Sequence, residues 1–165
     1  MADPFIAESP DQIPSRDELL AMSGMDFMQG MLRGEISRPP ISGLLNYALH
    51  SVEEGRVAFR GTPEFAHTNP MGSVHGGWYG TLLDSAMSCA VMTVTPKGSV
   101  YTTLEYKINI MGAGPLGRES EAVGILGHAG RSRGIATDEL RDLETGRLYA
   151  NGTATCIIME MTRTS

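Results

Sequence analysis

The chain has 165 residues and a mass of 17.7 kDa, the size of one ordinary domain, and 41% hydrophobic against 19% charged residues describes a globular chain rather than a disordered one. Thirteen basic and nineteen acidic residues leave a net charge of −6, so no overall field gathers phosphate backbones and nucleic acid is not an expected partner. No apolar run approaches the roughly 18 residues of a membrane span, no leader pattern opens the chain, and Cys89 and Cys156 are too far apart for a paired-cysteine motif, which leads us to expect a soluble, cytoplasmic protein with two buried thiols.

Residues 1–14 are polar and punctuated by proline, and read as a flexible arm. Ser15-Arg16-Asp17-Glu18 has the form of a capping box, and the apolar residues from Leu19 to Leu32 follow at helical steps, predicting a helix over about 15–33 rich in methionine. Two short runs, Leu44 to Val52 and Arg56 to Thr62, meet at Glu53-Glu54-Gly55 and predict a hairpin. Thr68 to Val74 reads as a loop, and Gly77 to about Thr93, apolar at helical spacing, as the central helix. From Ser99 to Met111 the spacing turns to strict alternation, with Val100, Thr102, Leu104, Tyr106, Ile108 and Ile110 on one face of a long strand. Strands follow at about Arg118 to His128, Ser132 to Arg141 and Arg147 to Met159, joined by short turns. Short connections imply an antiparallel sheet, and a sheet with one buried helix is an α+β arrangement.

Two features of this order carry chemistry. Gly76 and Gly77 lie where the central helix begins, so unpaired backbone N–H groups point outward there at the positive end of the helix dipole, suited to a carboxylate, a phosphate or the oxyanion of an acyl transfer. Asp84 interrupts Leu82-Leu83-Asp84-Ser85-Ala86-Met87 in a helix that is otherwise apolar, and a carboxylate in such a setting is costly unless it is paired or has a task. Gly77, Thr81, Asp84 and Ser88 put small or polar side chains along one stripe beside it. At about 1.5 Å per residue, Asp84 lies roughly 10 Å from its own helix start. If both act on one carbonyl, they come from two chains, as antiparallel helices across a two-fold axis would place them.

Asn69-Pro70-Met71-Gly72-Ser73-Val74-His75-Gly76-Gly77, then Leu82-Leu83-Asp84-Ser85-Ala86, then Tyr101-Thr102-Thr103-Leu104-Glu105-Tyr106-Lys107-Ile108-Asn109 resemble the hotdog-fold acyl-CoA thioesterases of the phenylacetate-degradation type, over roughly residues 25 to 160. The resemblance implies a hotdog fold, a long central helix wrapped by a curved antiparallel sheet, as a single domain over 15–165 that includes the N-terminal helix. It implies a homodimer, often doubled to a homotetramer, and hydrolysis of an acyl-CoA thioester to free acid and coenzyme A at the dimer interface. Asp84 matches the family's general base or nucleophile. The Gly76 amide matches the group that polarises the thioester carbonyl, and Asn69 the residue that orients the carbonyl or the attacking water. Thr103 matches a hydroxyl residue that holds this water, and His75 an organiser of the loop beside Gly77. After the long strand, where the family carries an arginine or another residue with proline, this chain reads Met111-Gly112-Ala113-Gly114-Pro115.

Arg131 and Arg133, at a turn between strands, are candidates to hold a coenzyme A phosphate. His67 and His75 form no recognised ligand set, so no metal is expected, and no cofactor beyond the coenzyme A of the substrate. An enoyl-CoA hydratase on the same fold is the first alternative, but its pattern puts a histidine two residues after the proline, whereas His75 comes five after Pro70. A non-catalytic acyl-CoA-binding sensor is the second, and would need a DNA-reading module for which an acidic N-terminal helix is poorly suited. Aromatic, medium-chain and short branched acyl groups all remain open at this stage.

Overall fold

Two capping boxes organise the N-terminal part of the computed structural model, which describes residues 5–161. Ser15 Oγ accepts the Glu18 N–H at 3.4 Å while the Glu18 carboxylate accepts the Ser15 N–H at 2.8 Å, opening α1 (Arg16–Leu20). Ser23 repeats the device with Asp26, at 3.1 and 3.2 Å, and opens α2 (Gly24–Leu32). The single helix expected over 15–33 is therefore two. Ser23 in a helix interior would compete for backbone groups, and as a cap it satisfies them.

The arm expected over 1–14 also differs where it is described, residues 1–4 lying outside the described part. The Ala7 N–H donates to the Arg38 carbonyl at 3.0 Å, the Arg38 N–H donates to the Phe5 carbonyl at 2.8 Å, and Ala7 is buried. Further on, the Ser37 hydroxyl donates to the Gln12 carbonyl at 2.8 Å. These paired backbone groups fasten residues 5–12 to the chain just before α3 (Pro40–Leu44), a short helix where the first strand of the hairpin was expected to begin.

The hairpin is β1 (Tyr47–Glu53) and β2 (Arg56–Gly61), turning at Gly55, whose φ of +72° favours a residue without Cβ. After α4 (Gly76–Met92) come β3 (Ser99–Ile110), β4 (Ser120–Ala129), β5 (Arg133–Asp142) and β6 (Leu148–Glu160). All six strands join one sheet in the order β1-β2-β4-β5-β6-β3, every pair antiparallel. The helix lies across one face of it, burying Leu82, Leu83, Ala86, Met87 and Val91 completely against Val57, Ala122, Ala136 and Leu140. Gly124 sets how near it lies, since a Cβ there would stand 2.1 Å from the Ala86 carbonyl oxygen.

β3 forms an edge of the sheet and, among the described residues, pairs only with β6. Its alternation is not strict. The register with β6 slips at Leu104, between Thr103↔Cys156 and Glu105↔Thr155, so Leu104 is the extra residue of a bulge. Before the bulge odd-numbered residues face α4, as Thr103 does; after it the even ones do, with the Tyr106 hydroxyl beside Gly80 and the Ile110 Cδ1 beside Gly76. The single apolar face predicted for this strand is thus divided, and Leu104 is turned to solvent at 54% exposure.

Candidate active site

α4 presents Gly76, Gly80, Asp84 and Ser88 beneath β3, one residue per helical turn. Ile110, Tyr106, Thr103 and Tyr101 face them in reverse order, because strand and helix run in opposite directions. The Tyr106 hydroxyl and Ile110 Cδ1 pack against Gly80 and Gly76, and Asp84 lies half-buried along the same row.

Thr103 is brought directly to Asp84: its Oγ1 donates to Asp84 Oδ1 at 3.0 Å. Behind it the Cys156 thiol donates to the Thr103 hydroxyl oxygen at 3.9 Å, a distance suited to sulfur. Burial raises the Asp84 proton affinity above that of an ordinary carboxyl, and the Thr103 hydrogen bond opposes part of that rise. The other carboxylate oxygen has no protein partner among the described residues. A carboxylate held by one oxygen, with its proton affinity raised, is arranged to accept a proton on the other.

At the helix start His75 is the N-cap, and its Nδ1 accepts the Gly77 N–H at 2.8 Å. The Trp78 N–H donates to the His75 carbonyl at 3.0 Å. The Gly76 N–H has no such acceptor among the described residues and is the amide left at the tip of α4. His75 is therefore a cap, and Gly77, which the sequence offered as a second anion donor, is already engaged. Gly76 and Asp84 sit eight residues apart on one helix, about 12 Å of axial rise.

Asn69 is largely committed to its own loop. Its Oδ1 accepts the Met71 and Ser73 N–H groups at 2.9 and 3.3 Å, and its Nδ2 donates to Ser73 Oγ at 2.8 Å. One hydrogen of that amide stays free. His67 acts as a structural bridge: Nδ1 accepts the Glu64 N–H at 2.9 Å and Nε2 lies 2.8 Å from the Leu44 carbonyl. No group of three His, Cys, Asp or Glu side chains among the described residues is placed to hold a metal. Arg131 and Arg133 are not brought together. Arg131 lines a surface hollow with Lys97 and Ser99, whereas Arg133 alternates with Gly134, which packs on Val91 of α4, so Arg133 points off the opposite face of the sheet.

Sequence reasoning did not find Tyr101 as a neighbour of the site, because it assigned the faces of β3 without the bulge, and the contact of Cys156 on β6 with Thr103 left no mark in the spacing. A concavity of about 720 Å³ over the outer face of the sheet is lined by Arg56, Lys107, Glu139 and Arg141 and does not include Asp84. Residues on that face are engaged in ion pairs, Arg60 with Glu121 at 2.9 Å and Arg141 with Glu139 at 2.8 Å. No helix among the described residues is long and apolar enough to cross a membrane.

Comparison with known proteins bears on this geometry. Residues 71–149, which hold the 69–77 loop's second half, α4 and β3 to the start of β6, match the thioesterase superfamily. A mouse protein named acyl-coenzyme A thioesterase 13 is 32% identical over 89 residues, 54% of this chain and 63% of its own length, so the match spans somewhat less than two thirds of that relative. A putative thioesterase from Ralstonia eutropha, described as phenylacetic acid degradation-related, superposes with a TM-score of 0.72 at 28% identity, covering 79% of this chain and 98% of its own. A hypothetical thioesterase from Streptococcus pneumoniae, solved with coenzyme A, superposes with a TM-score of 0.65 at 26% identity over 73% of this chain and 91% of its own.

Proposed function

We propose that this chain, whose residues 71–149 match the thioesterase superfamily and whose helix and antiparallel sheet form a hotdog fold, hydrolyses an acyl-CoA thioester to the free acid and coenzyme A, at a centre shared by two protomers. The observation that carries the reading is the pairing of Asp84 on α4 with Thr103 on β3, together with the Gly76 amide at the tip of the same helix, eight residues away and without an acceptor among the described residues. The two groups are too far apart to meet on one carbonyl. A two-fold dimer that runs the edge strands β3 side by side in opposite directions sets each helix tip against the other protomer's carboxylate, and it also covers the edge that β3 presents.

In this arrangement the thioester carbonyl oxygen lies against the Gly76 N–H, and the positive end of α4 favours the charge that develops there. Asp84 acts as general base. It takes a proton from a water held between its free oxygen and the carbonyl carbon, and the water oxygen bonds to that carbon. The carbonyl π pair moves onto oxygen and is stabilised by the Gly76 amide. When the oxyanion collapses the C–S bond breaks, the sulfur leaves as coenzyme A thiolate, and the proton held by Asp84 returns to it. The raised proton affinity of Asp84 suits it to take a proton from that water. The remaining hydrogen of the Asn69 amide is the group offered to the water or carbonyl. Arg131, with Lys97 beside it, is the cation for a coenzyme A phosphate.

Asp84→Asn tests the reading. Purified variant and wild type are compared for thiol release over acetyl-, hexanoyl-, octanoyl-, palmitoyl- and phenylacetyl-CoA. The variant should lose at least a hundredfold in kcat with its circular dichroism unchanged. A folded variant that turns over its best substrate near the wild-type rate overturns the role of Asp84.

A further inference from the structure

Tyr101, two residues along β3 from Thr103, also lines an apolar pocket of about 110 Å³ toward the C-terminal end of α4, whose outer wall is the pair of N-terminal helices. Leu19 and Met22 come from α1 and the turn after it, Phe27 from α2, and Met92 and Tyr101 from the helix and strand that also carry the reacting groups. No charged side chain lines it.

Its wall is fixed by backbone contact. The Gly24 N–H donates to the Thr95 carbonyl at 3.0 Å, and a Cβ on Gly24 would stand 1.8 Å from the Met92 carbonyl oxygen, so α2 is seated directly on the end of α4. The two thioethers, Met22 and Met92, are the deformable part of the lining.

Resting on the thioesterase reading above, we propose that this pocket receives the far end of the acyl group, and that the enzyme is selective for medium-chain aliphatic acyl-CoA over aryl-acyl and over acetyl thioesters. Position argues against acetyl. Tyr101 is two residues along β3 from Thr103, about 7 Å, so a substrate must carry a chain across that interval before its end is enclosed. Size argues against a ring. An apolar cavity that accepts benzene measures about 150 Å³, larger than this one, whereas a flexible alkyl end enters a narrower space and is buried at about 0.8 kcal/mol per methylene. The absence of any charged lining argues against an acyl group that ends in a carboxylate.

The test is the ratio of kcat/KM for octanoyl-CoA to that for acetyl-CoA and to that for phenylacetyl-CoA, in the wild-type chain and in two variants. Wild type should favour octanoyl at least tenfold over both. Met22→Trp, which fills the pocket from its outer wall, should lower the octanoyl-to-acetyl ratio at least fivefold. Met92→Ala, which enlarges it, should raise the phenylacetyl-to-octanoyl ratio by a similar factor. Both ratios unmoved in folded, hydrolytically active variants would overturn the pocket assignment while the thioesterase reading stood. A wild type that hydrolyses the whole panel without preference would overturn the selectivity. A folded wild type that releases no thiol from any of them would overturn the thioesterase reading, and the pocket's role with it.

Discussion

His75 Nδ1 accepts the Gly77 N–H at 2.8 Å, and this one bond gives two adjacent glycines different fates. Gly77 closes the helix cap; Gly76, at the first helical position, keeps the amide at the tip that has no acceptor among the described residues. Proline is well accommodated at that first position, and His75, with ψ of 139°, already has the extended backbone that precedes one.

Gly76→Pro therefore deletes the proposed oxyanion donor with the helix intact. It should lower kcat by about a hundred- to a thousandfold, the worth of one such donor. Co-expressing it with Asp84→Asn under separate tags adds a sharper outcome. The mixed dimer holds one complete centre, with Asp84 from one chain and Gly76 from the other, and should recover up to half of wild-type activity. Mixed dimers no more active than either parent would show that both groups act within one chain.

The acid limb of the pH–rate profile should follow Asp84. Activity needs the carboxylate, burial raises its proton affinity, and so the rate should rise with pH through a value above the ordinary carboxyl 3.8. Thr103→Val removes the hydrogen bond that holds this value down, so the limb should move to higher pH, while Thr103→Ser leaves it in place. Profiles of kcat/KM that coincide for the Val and Ser variants would remove Thr103 from the mechanism.

A second carboxyl governs stability. Asp138 is 3% exposed, both its oxygens lack a partner among the described residues, and burial pushes its pKa up to about 9. Between 3.8 and 9 the folded chain keeps this proton while the unfolded chain has lost it, so stability falls as pH rises, by up to about 1.4 kcal/mol per pH unit. Asp138→Asn does not titrate. Urea unfolding at pH 6 and pH 8 should show the variant's stability changing less with pH than that of wild type, and parallel pH dependences would refute the buried proton.

The approach of α4 to the sheet depends on Gly124. Gly124→Ala places a Cβ 2.1 Å from the Ala86 carbonyl oxygen, backbone that cannot step aside, and should cost at least about 2 kcal/mol. Gly127→Ala on the same strand, where the nearest atom would be 3.5 Å away, should fall within about 0.5 kcal/mol of wild type. Thermal or urea unfolding of the pair checks the contrast.

Much of this architecture is legible in the chain. The apolar run after Gly76-Gly77, the turn at Gly55 and the short links among the later strands led directly to a helix on an antiparallel sheet. Asp84 stood out because a lone carboxylate among Leu, Ala and Met conflicts with its neighbours; the structure pairs it with Thr103, which the resemblance offered as a holder of water rather than as its partner. Three things were hidden. Ser23 read as an ordinary helical residue until its bonds with Asp26 showed it to be a cap. The Asn69 side chain offered itself to a substrate, but local loop bonds within 69–73 occupy most of it, and spacing does not reveal such competition. The faces of β3 were misassigned because a two-residue period carries no mark of an inserted residue, and the even-numbered pattern of large apolar side chains holds true only beyond Leu104.

That inserted residue has a lasting effect on how the strand can change. With Leu104 looped out, Tyr101 and Thr103 attend the carboxylate while Tyr106, Ile108 and Ile110 lie along the first turns of the helix, and the two groups no longer share a phase. Excising Leu104 would restore a regular ladder and force a choice: whichever half stayed on the helix, the other would be rotated outward. Substitutions that tune the reacting end of this strand are thereby uncoupled from those that tune its packing, and the two ends are free to vary separately.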